Sequence, residues 1–311
     1  MDEGRSAMEY RELGSSRLRV SCLGIGLAEI GFTLSESQAD EAGRVLNAAL
    51  DSGINFLDTA GCYSISEELI GQTVSSRRDE FILASKTGHM SHGCRGDSWS
   101  YECVLASIER SLRRMRTDHV DLMQLHSCEL DVLERGDAIR ALEDARAKGL
   151  TRFVGYSGDN EAVVWAAKSG FFDVIQTSFN VTDQGARREL LGAVEEKDLG
   201  LIAKRPIANG VWGRETDPDP YGNGYASEYF RRQLAMRGDG SLPAEPDDPI
   251  LASLGFTLAH GEVTVAIVGS RNPEHVRSNV ALLEALPVPD EFVEAAHSRF
   301  DELGVDWRQL T

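Results

Sequence analysis

The amino-acid sequence predicts one closed (β/α)8 TIM barrel of the α/β class, with an N-terminal β-hairpin and an extra C-terminal helix. Three observations carry this. A short apolar run ending in a polar or small residue, then an amphipathic stretch, recurs eight times; eight such units in one chain favour closure over an open sheet. Glycines stand where helices should stop, at Gly53, Gly149, Gly170 and Gly261. The 311 residues contain no linker and suit a single barrel domain over 10–311, with 1–9 as a loose tail.

Each element follows from its local pattern. RELGSSRLRVSCLGIG reads as a hairpin, two alternating segments around Gly14, Ser15 and Ser16. Strand-like runs follow at 22–25, 55–58, 81–85, 120–125, 153–156, 174–177, 201–204 and 263–268. Between them, 37–52 places Ala42, Val45, Leu46, Ala49 and Leu50 at helical spacing. Residues 100–115 place Val104, Leu105, Ile108 and Leu112 on one side of a helix. Further helices are expected at 66–74, 131–148, 160–169, 183–197, 249–260 and 273–286, and a last one at 290–303. The segment 206–248, rich in Gly, Pro and Asp, reads as irregular; a loop that long in a compact domain is usually functional.

Composition narrows the function classes. The net charge of −18 argues against nucleic acid and against anionic membrane surfaces as partners. No apolar run reaches the roughly eighteen residues of a membrane span, and MDEGRSAMEY lacks the apolar core of a signal peptide. Cys22, Cys62, Cys94, Cys103 and Cys128 are irregularly spaced without a CxxC, which fits reduced thiols in the cytoplasm better than a disulfide scaffold. His89, His92 and Cys94 lie close together but lack a fourth ligand, so no metal is expected; with Trp99 they read as lining of a substrate entrance.

In a parallel barrel the chemistry gathers where strands end. The second strand ends in Asp58, with Tyr63 five residues on; the third ends in Lys86, the fourth in His126, the fifth in Ser157 and the sixth in Gln176. A free tyrosine, with a pKa of about 10, is a poor acid–base group near neutrality. An adjacent ammonium favours the phenolate, so Lys86 is expected to lower the Tyr63 pKa, with Asp58 holding Lys86 in place and charged. His126 can donate a hydrogen bond to a substrate oxygen, and Tyr63 can then transfer a proton while hydride moves. No side chain carries hydride, so a cofactor must.

At these residues the sequence resembles the aldo-keto reductase family. NFLDTAGCYSISEELIG is similar to that family's D-T-A-x-x-Y-x-x-S-E-x-x-(I/L)-G signature, and ILASKTG and VDLMQLHS resemble its lysine and histidine strands. The resemblance implies a barrel closed at its base by the hairpin, and Tyr63 as general acid/base with Lys86, Asp58 and His126 in support. It also implies NADP(H), less often NAD(H), bound extended, and a small-molecule carbonyl or sugar substrate.

The same resemblance assigns cofactor positions. Gly26 and Leu27 lie near the nicotinamide, Ser157 and Gln176 bind its carboxamide, and Phe179 replaces a stacking tyrosine. Gly158 stands where the family has Asn, so Asp159 or Asn160 would have to replace that contact. The AKRPIANGVWG loop resembles the segment crossing the pyrophosphate, with Lys204, Arg205, Pro206, Ala208, Asn209 and Gly210. VGSRNPEHVRSN supplies Gly269, Ser270, Arg271, His275 and Asn279 for the adenosine end. Gly269 and His275 depart from the lysine and arginine of NADP-preferring relatives, and Arg271 beside them supplies the fork a phosphate prefers. Two other readings share the pattern. One is a barrel aldolase with Lys86 as Schiff base; the other is a non-catalytic cofactor-binding sensor or auxiliary subunit.

Overall fold

A computed structural model describes residues 8–90, 96–219, 224–238 and 240–311. The eight apolar runs become parallel strands: β3 (Leu23–Gly26), β4 (Phe56–Asp58), β5 (Ile82–Thr87), β6 (Val120–His126), β7 (Thr151–Ser157), β8 (Val174–Ser178), β9 (Gly200–Lys204) and β10 (Val265–Gly269). They close in chain order, with β10 pairing both β9 and β3.

The hairpin precedes them as β1 (Tyr10–Glu12) and β2 (Arg19–Ser21), paired antiparallel. Leu13, Leu18 and Val20 fill the barrel's base against Phe56, Ala84, Leu122, Val174, Ile202 and Val265. The turn between the strands needs Gly14, which has φ +52°; a Cβ there would lie 2.2 Å from the amide nitrogen of Gly200.

Helices pack outside: α1 (Ala28–Thr33), α2 (Ala39–Asp51), α3 (Ser66–Thr73), α4 (Tyr101–Met115), α5 (Leu130–Arg135), α6 (Asp137–Ala147), α7 (Asn160–Ser169), α8 (Leu190–Glu196), α9 (Tyr225–Arg237), α10 (Pro249–Leu258), α11 (Pro273–Leu282) and α12 (Asp290–Leu303). Local chemistry sets their starts. Asp248 accepts from the amides of Ile250 and Leu251, and Asn272 from that of Glu274, each followed by proline at the first helical position. The apolar faces meet the strands in one continuous core.

The structure corrects three expectations and adds one element. The helix over 131–148 is two, because Gly136 takes φ +77° and ends α5 before α6 starts. Residues 183–197 hold a short 3-10 turn and then α8, not one helix. The segment 206–248 is not wholly irregular: α9 lies within it, burying Tyr229, Phe230 and Met236. Beyond α12 the chain turns back over the ends of β7 and β8, where the Gln309 side chain bonds to Asn160, Thr177 and Ser178.

Candidate active site

Strand alternation sends Asp58, Lys86, Gln124 and Gln176 into the barrel lumen, where they bond to one another. Lys86 Nζ pairs with Asp58 Oδ2 and donates to the Thr59 carbonyl at 3.0 Å. Asp58 Oδ1 accepts from Gln176 Nε2 at 2.9 Å, and Gln176 Oε1 accepts from Ser157 Oγ at 2.7 Å. Asp58 and Lys86 are each 2% exposed. Burying two ions costs several kcal/mol apiece unless pairing and further hydrogen bonds satisfy them, and both have those here. Burial works against the Lys86 ammonium, but Asp58 and then Tyr63 more than offset it, so the amine is held charged. A Schiff-base lysine must shed that proton.

Tyr63 sits in the turn after β4, anchored by its amide on the Ala60 carbonyl at 3.0 Å and by the Ser66 amide on its own carbonyl at 2.9 Å. Its ring centroid is 5.0 Å from Lys86 Nζ and 5.7 Å from the His126 ring, which stands edge-on at 82°. Lys86 lowers the Tyr63 pKa as expected, but the net shift is upward. The Tyr63 pKa lies above its ordinary value, because burial raises it more than Lys86 lowers it and Asp58 partly cancels the ammonium. The resting group is a phenol.

His126 closes the cluster from β6. Burial, then the charge of Lys86, holds its imidazole neutral to well below its usual range. Its Nδ1 lies 3.3 Å from Cys62 Sγ, its ring 4.9 Å from that of His89, and its carbonyl accepts from the Trp99 indole at 3.1 Å.

These groups open onto a cavity of about 800 Å³. Asp58, Tyr63, His126 and Ser157 line it, together with Gly26, Leu27, Lys204, Arg205, Pro206, Asn209, Gly210 and Gly269. Phe32, Tyr225 and Thr311 also line it, and nothing in their sequence context marked them. Gln176 lies a layer below, bonded to Asp58.

Two assigned positions fall elsewhere. Phe179 is fully buried outside the lumen, its ring 4.7 Å from that of His260, because it follows the last strand residue and faces the helical layer. Ala208 is buried with Val211, Tyr229 and Phe230.

The adenosine-end candidates cluster around the start of α11. Ser270 Oγ accepts from the Asn272 amide at 3.0 Å and lies 3.5 Å from His275 Nδ1, while Arg271 is exposed and Asn279 half-buried.

The basic pair after β9 is already engaged. Lys204 Nζ lies 2.8 Å from Asp159 Oδ2, and Arg205 bonds Ser178 Oγ and the Leu310 carbonyl with its guanidinium 3.6 Å above the Tyr225 ring. Asp159 also accepts from Thr177 Oγ1 and the Ser178 amide. Asn160 is bound by Gln309. Neither side chain is therefore free to replace the asparagine absent at Gly158. Among the described residues no group of three or more His, Cys, Asp or Glu could hold a metal, and His92 and Cys94 lie outside those residues. No described helix is long and apolar enough to cross a membrane.

A buried lysine–aspartate pair beneath a tyrosine and an edge-on histidine, at the strand ends of a parallel barrel, defines a class of barrel enzymes with one acid–base centre. A model of the aldo/keto reductase family matches residues 22–299, and the chain belongs to that family; it is an oxidoreductase. It is 28% identical to the uncharacterized oxidoreductase YqkF of Bacillus subtilis (strain 168), over 94% of this chain and 96% of that protein. It is 27% identical to L-galactose dehydrogenase of Arabidopsis thaliana, over 90% and 89%. The holo form of aldo-keto reductase AKR11C1 from Bacillus halodurans superposes with a TM-score of 0.78 at 28% identity, covering 94% of this chain and 96% of that one. The family works with nicotinamide cofactors.

Proposed function

We propose that this chain transfers hydride between NADP(H) and a carbonyl/alcohol pair, an aldehyde, ketone or sugar, with Tyr63 as general acid/base. The observation that carries the reading is the Asp58–Lys86 pair set against the Tyr63 ring with His126 edge-on to it, Asp58, Tyr63 and His126 lining a cavity of about 800 Å³. The rest of that cavity suits an extended dinucleotide. Gly26 and Gly269 bring bare backbone together there, a Cβ on Gly269 lying 3.3 Å from the Gly26 carbonyl, and Lys204 and Arg205 oppose the chain's negative field.

The bound nicotinamide supplies the hydride. His126 donates to the substrate oxygen and fixes the carbonyl. Tyr63, a phenol at rest, gives that oxygen its proton, and Lys86 stabilises the phenolate left behind. Asp58 keeps the ammonium charged and in place. Ser157, with Gln176 beneath it, holds the carboxamide. The cofactor preference is NADP(H), with Arg271 as the 2′-phosphate contact. Four free thiols among the described residues, Cys22, Cys62, Cys103 and Cys128, support a reducing cytoplasmic setting.

The test follows NADPH and NADH consumption against a panel of aldehydes, ketones and sugars, with Tyr63→Phe in parallel. The variant should lose at least about a hundredfold in turnover while still binding cofactor by fluorescence titration. Unchanged turnover would sink the mechanism.

A further inference from the structure

The residue just before the tyrosine contacts the histidine. Cys62 Sγ lies 3.3 Å from His126 Nδ1, and Cys62 is half-buried while His126 lines the cavity. Cys62 is not among the cavity's lining residues, so Nδ1 is turned away from the substrate space and Nε2 is the nitrogen left to face it.

Two neutral arrangements fit this contact. Either the thiol donates to an unprotonated Nδ1, and the ring proton sits on Nε2, or Nδ1–H donates to sulfur, and Nε2 is a bare acceptor. The thiol is a weak donor and its sulfur a weak acceptor, while the bare imidazole nitrogen is the strong acceptor of the pair, so the first arrangement is the one that uses it. Only the first leaves a donor towards a carbonyl oxygen. We propose that Cys62 is a positioning residue, its thiol holding His126 in the Nε2–H tautomer that orients the substrate. The catalytic half of this rests on the carbonyl-reducing function proposed above; the tautomer half does not. Trp99, donating to the His126 carbonyl at 3.1 Å, fixes the backbone but leaves the ring nitrogens alone, so the tautomer falls to Cys62.

The test is ring-nitrogen NMR of the full chain labelled with 15N-histidine, His126 being assigned by comparison with His126→Asn. The unaltered protein should show His126 protonated at Nε2 alone. Cys62→Ala should show a mixture of tautomers, with thermal denaturation confirming its fold, and Cys62→Ser should restore the single form, since a hydroxyl also donates. In parallel, kcat for carbonyl reduction should fall about fivefold in Cys62→Ala, the worth of one hydrogen bond, and recover in Cys62→Ser with the KM for NADPH unmoved. A Nδ1–H form in the unaltered protein, or an unchanged tautomer in Cys62→Ala, overturns the proposal. A tautomer that shifts as expected in a protein that reduces no carbonyl overturns the functional reading and supports the thiol's hold on His126.

Discussion

The Tyr156 side chain fills the space that a side chain at position 158 would need. A Cβ on Gly158 would lie 2.3 Å from the Tyr156 hydroxyl and 2.5 Å from its ring carbon Cζ. Tyr156 is held there, 1% exposed, by donating to the Cys128 carbonyl at 2.7 Å. The asparagine usual in the family is therefore excluded by a neighbour two residues away. Gly158→Ala should destabilise by about 1–3 kcal/mol, the ordinary cost of overpacking. On a Tyr156→Val background that penalty should shrink by at least about 1 kcal/mol in a denaturant double-mutant cycle. Additive effects would show that the two positions do not compete.

With Tyr63 as the proposed acid/base, its raised pKa should make the two reaction directions depend oppositely on pH. In the proposed mechanism the phenol is the acid for reduction, and it stays protonated through neutral pH because burial outweighs Lys86. Carbonyl reduction should be flat across neutral pH and fall only as pH rises through that raised value. Alcohol oxidation needs the phenolate and should climb steadily over the same range. His126 stays neutral to well below its usual range, so it adds no step near pH 6.5. Parallel pH profiles of kcat/KM in both directions check this, and a neutral-pH optimum for oxidation would contradict it.

Gln309 ties the last described residues to the barrel mouth. Its Oε1 accepts from the Asn160 amide at 3.0 Å, and its Nε2 donates to Thr177 Oγ1 at 3.0 Å and the Ser178 carbonyl at 2.8 Å. Gln309→Ala leaves buried groups without partners and should cost about 1–3 kcal/mol. Arg308→Ala next to it breaks an exposed pair with Glu161 and should cost less than about 1 kcal/mol. Urea denaturation separates the two, and equal midpoints would refute the difference. Because Thr311 lines the cavity, Gln309→Ala should also raise the substrate KM.

The barrel and the clustering of Asp58, Lys86 and His126 were legible because a polar residue directly after an apolar strand run has few places to go. Asp58, Lys86 and His126 sit at strand ends whose alternation sends them inward, and only a partnered site tolerates them there. Phe179 was placed by the family resemblance, and its burial against His260 outside the lumen, one residue past the last strand position, was not visible in that match. The helix α9 was hidden because it buries polar groups. Arg232 bonds Glu228 and the Arg308 carbonyl, and Gln233 bonds Gly213 and Arg214, so its apolar periodicity is weak. The return of the chain over β7 and β8 rests on bonds between residues more than a hundred positions apart, which leave no local pattern. The sign of the Tyr63 shift needed the depth of burial, which sequence does not state.

In the proposed reading, the choice between NADP(H) and NAD(H) turns on Arg271. A chain of net charge −18 repels a phosphate at long range, so a 2′-phosphate needs a local cation to be held. Gly269 and His275 offer no strong one, while Arg271 is exposed beside them, and no described carboxylate competes for it as an ion-pair partner. A guanidinium on a phosphate is a charge-assisted, two-pronged contact. Arg271→Met should therefore raise the KM for NADPH about tenfold or more, by the worth of a charged hydrogen bond, and leave the KM for NADH within about twofold of its starting value, the usual size of a surface substitution's effect. Loss of both cofactors together would point to a folding role at the start of α11. Loss of neither would remove Arg271 as the 2′-phosphate contact and make it an ordinary surface charge.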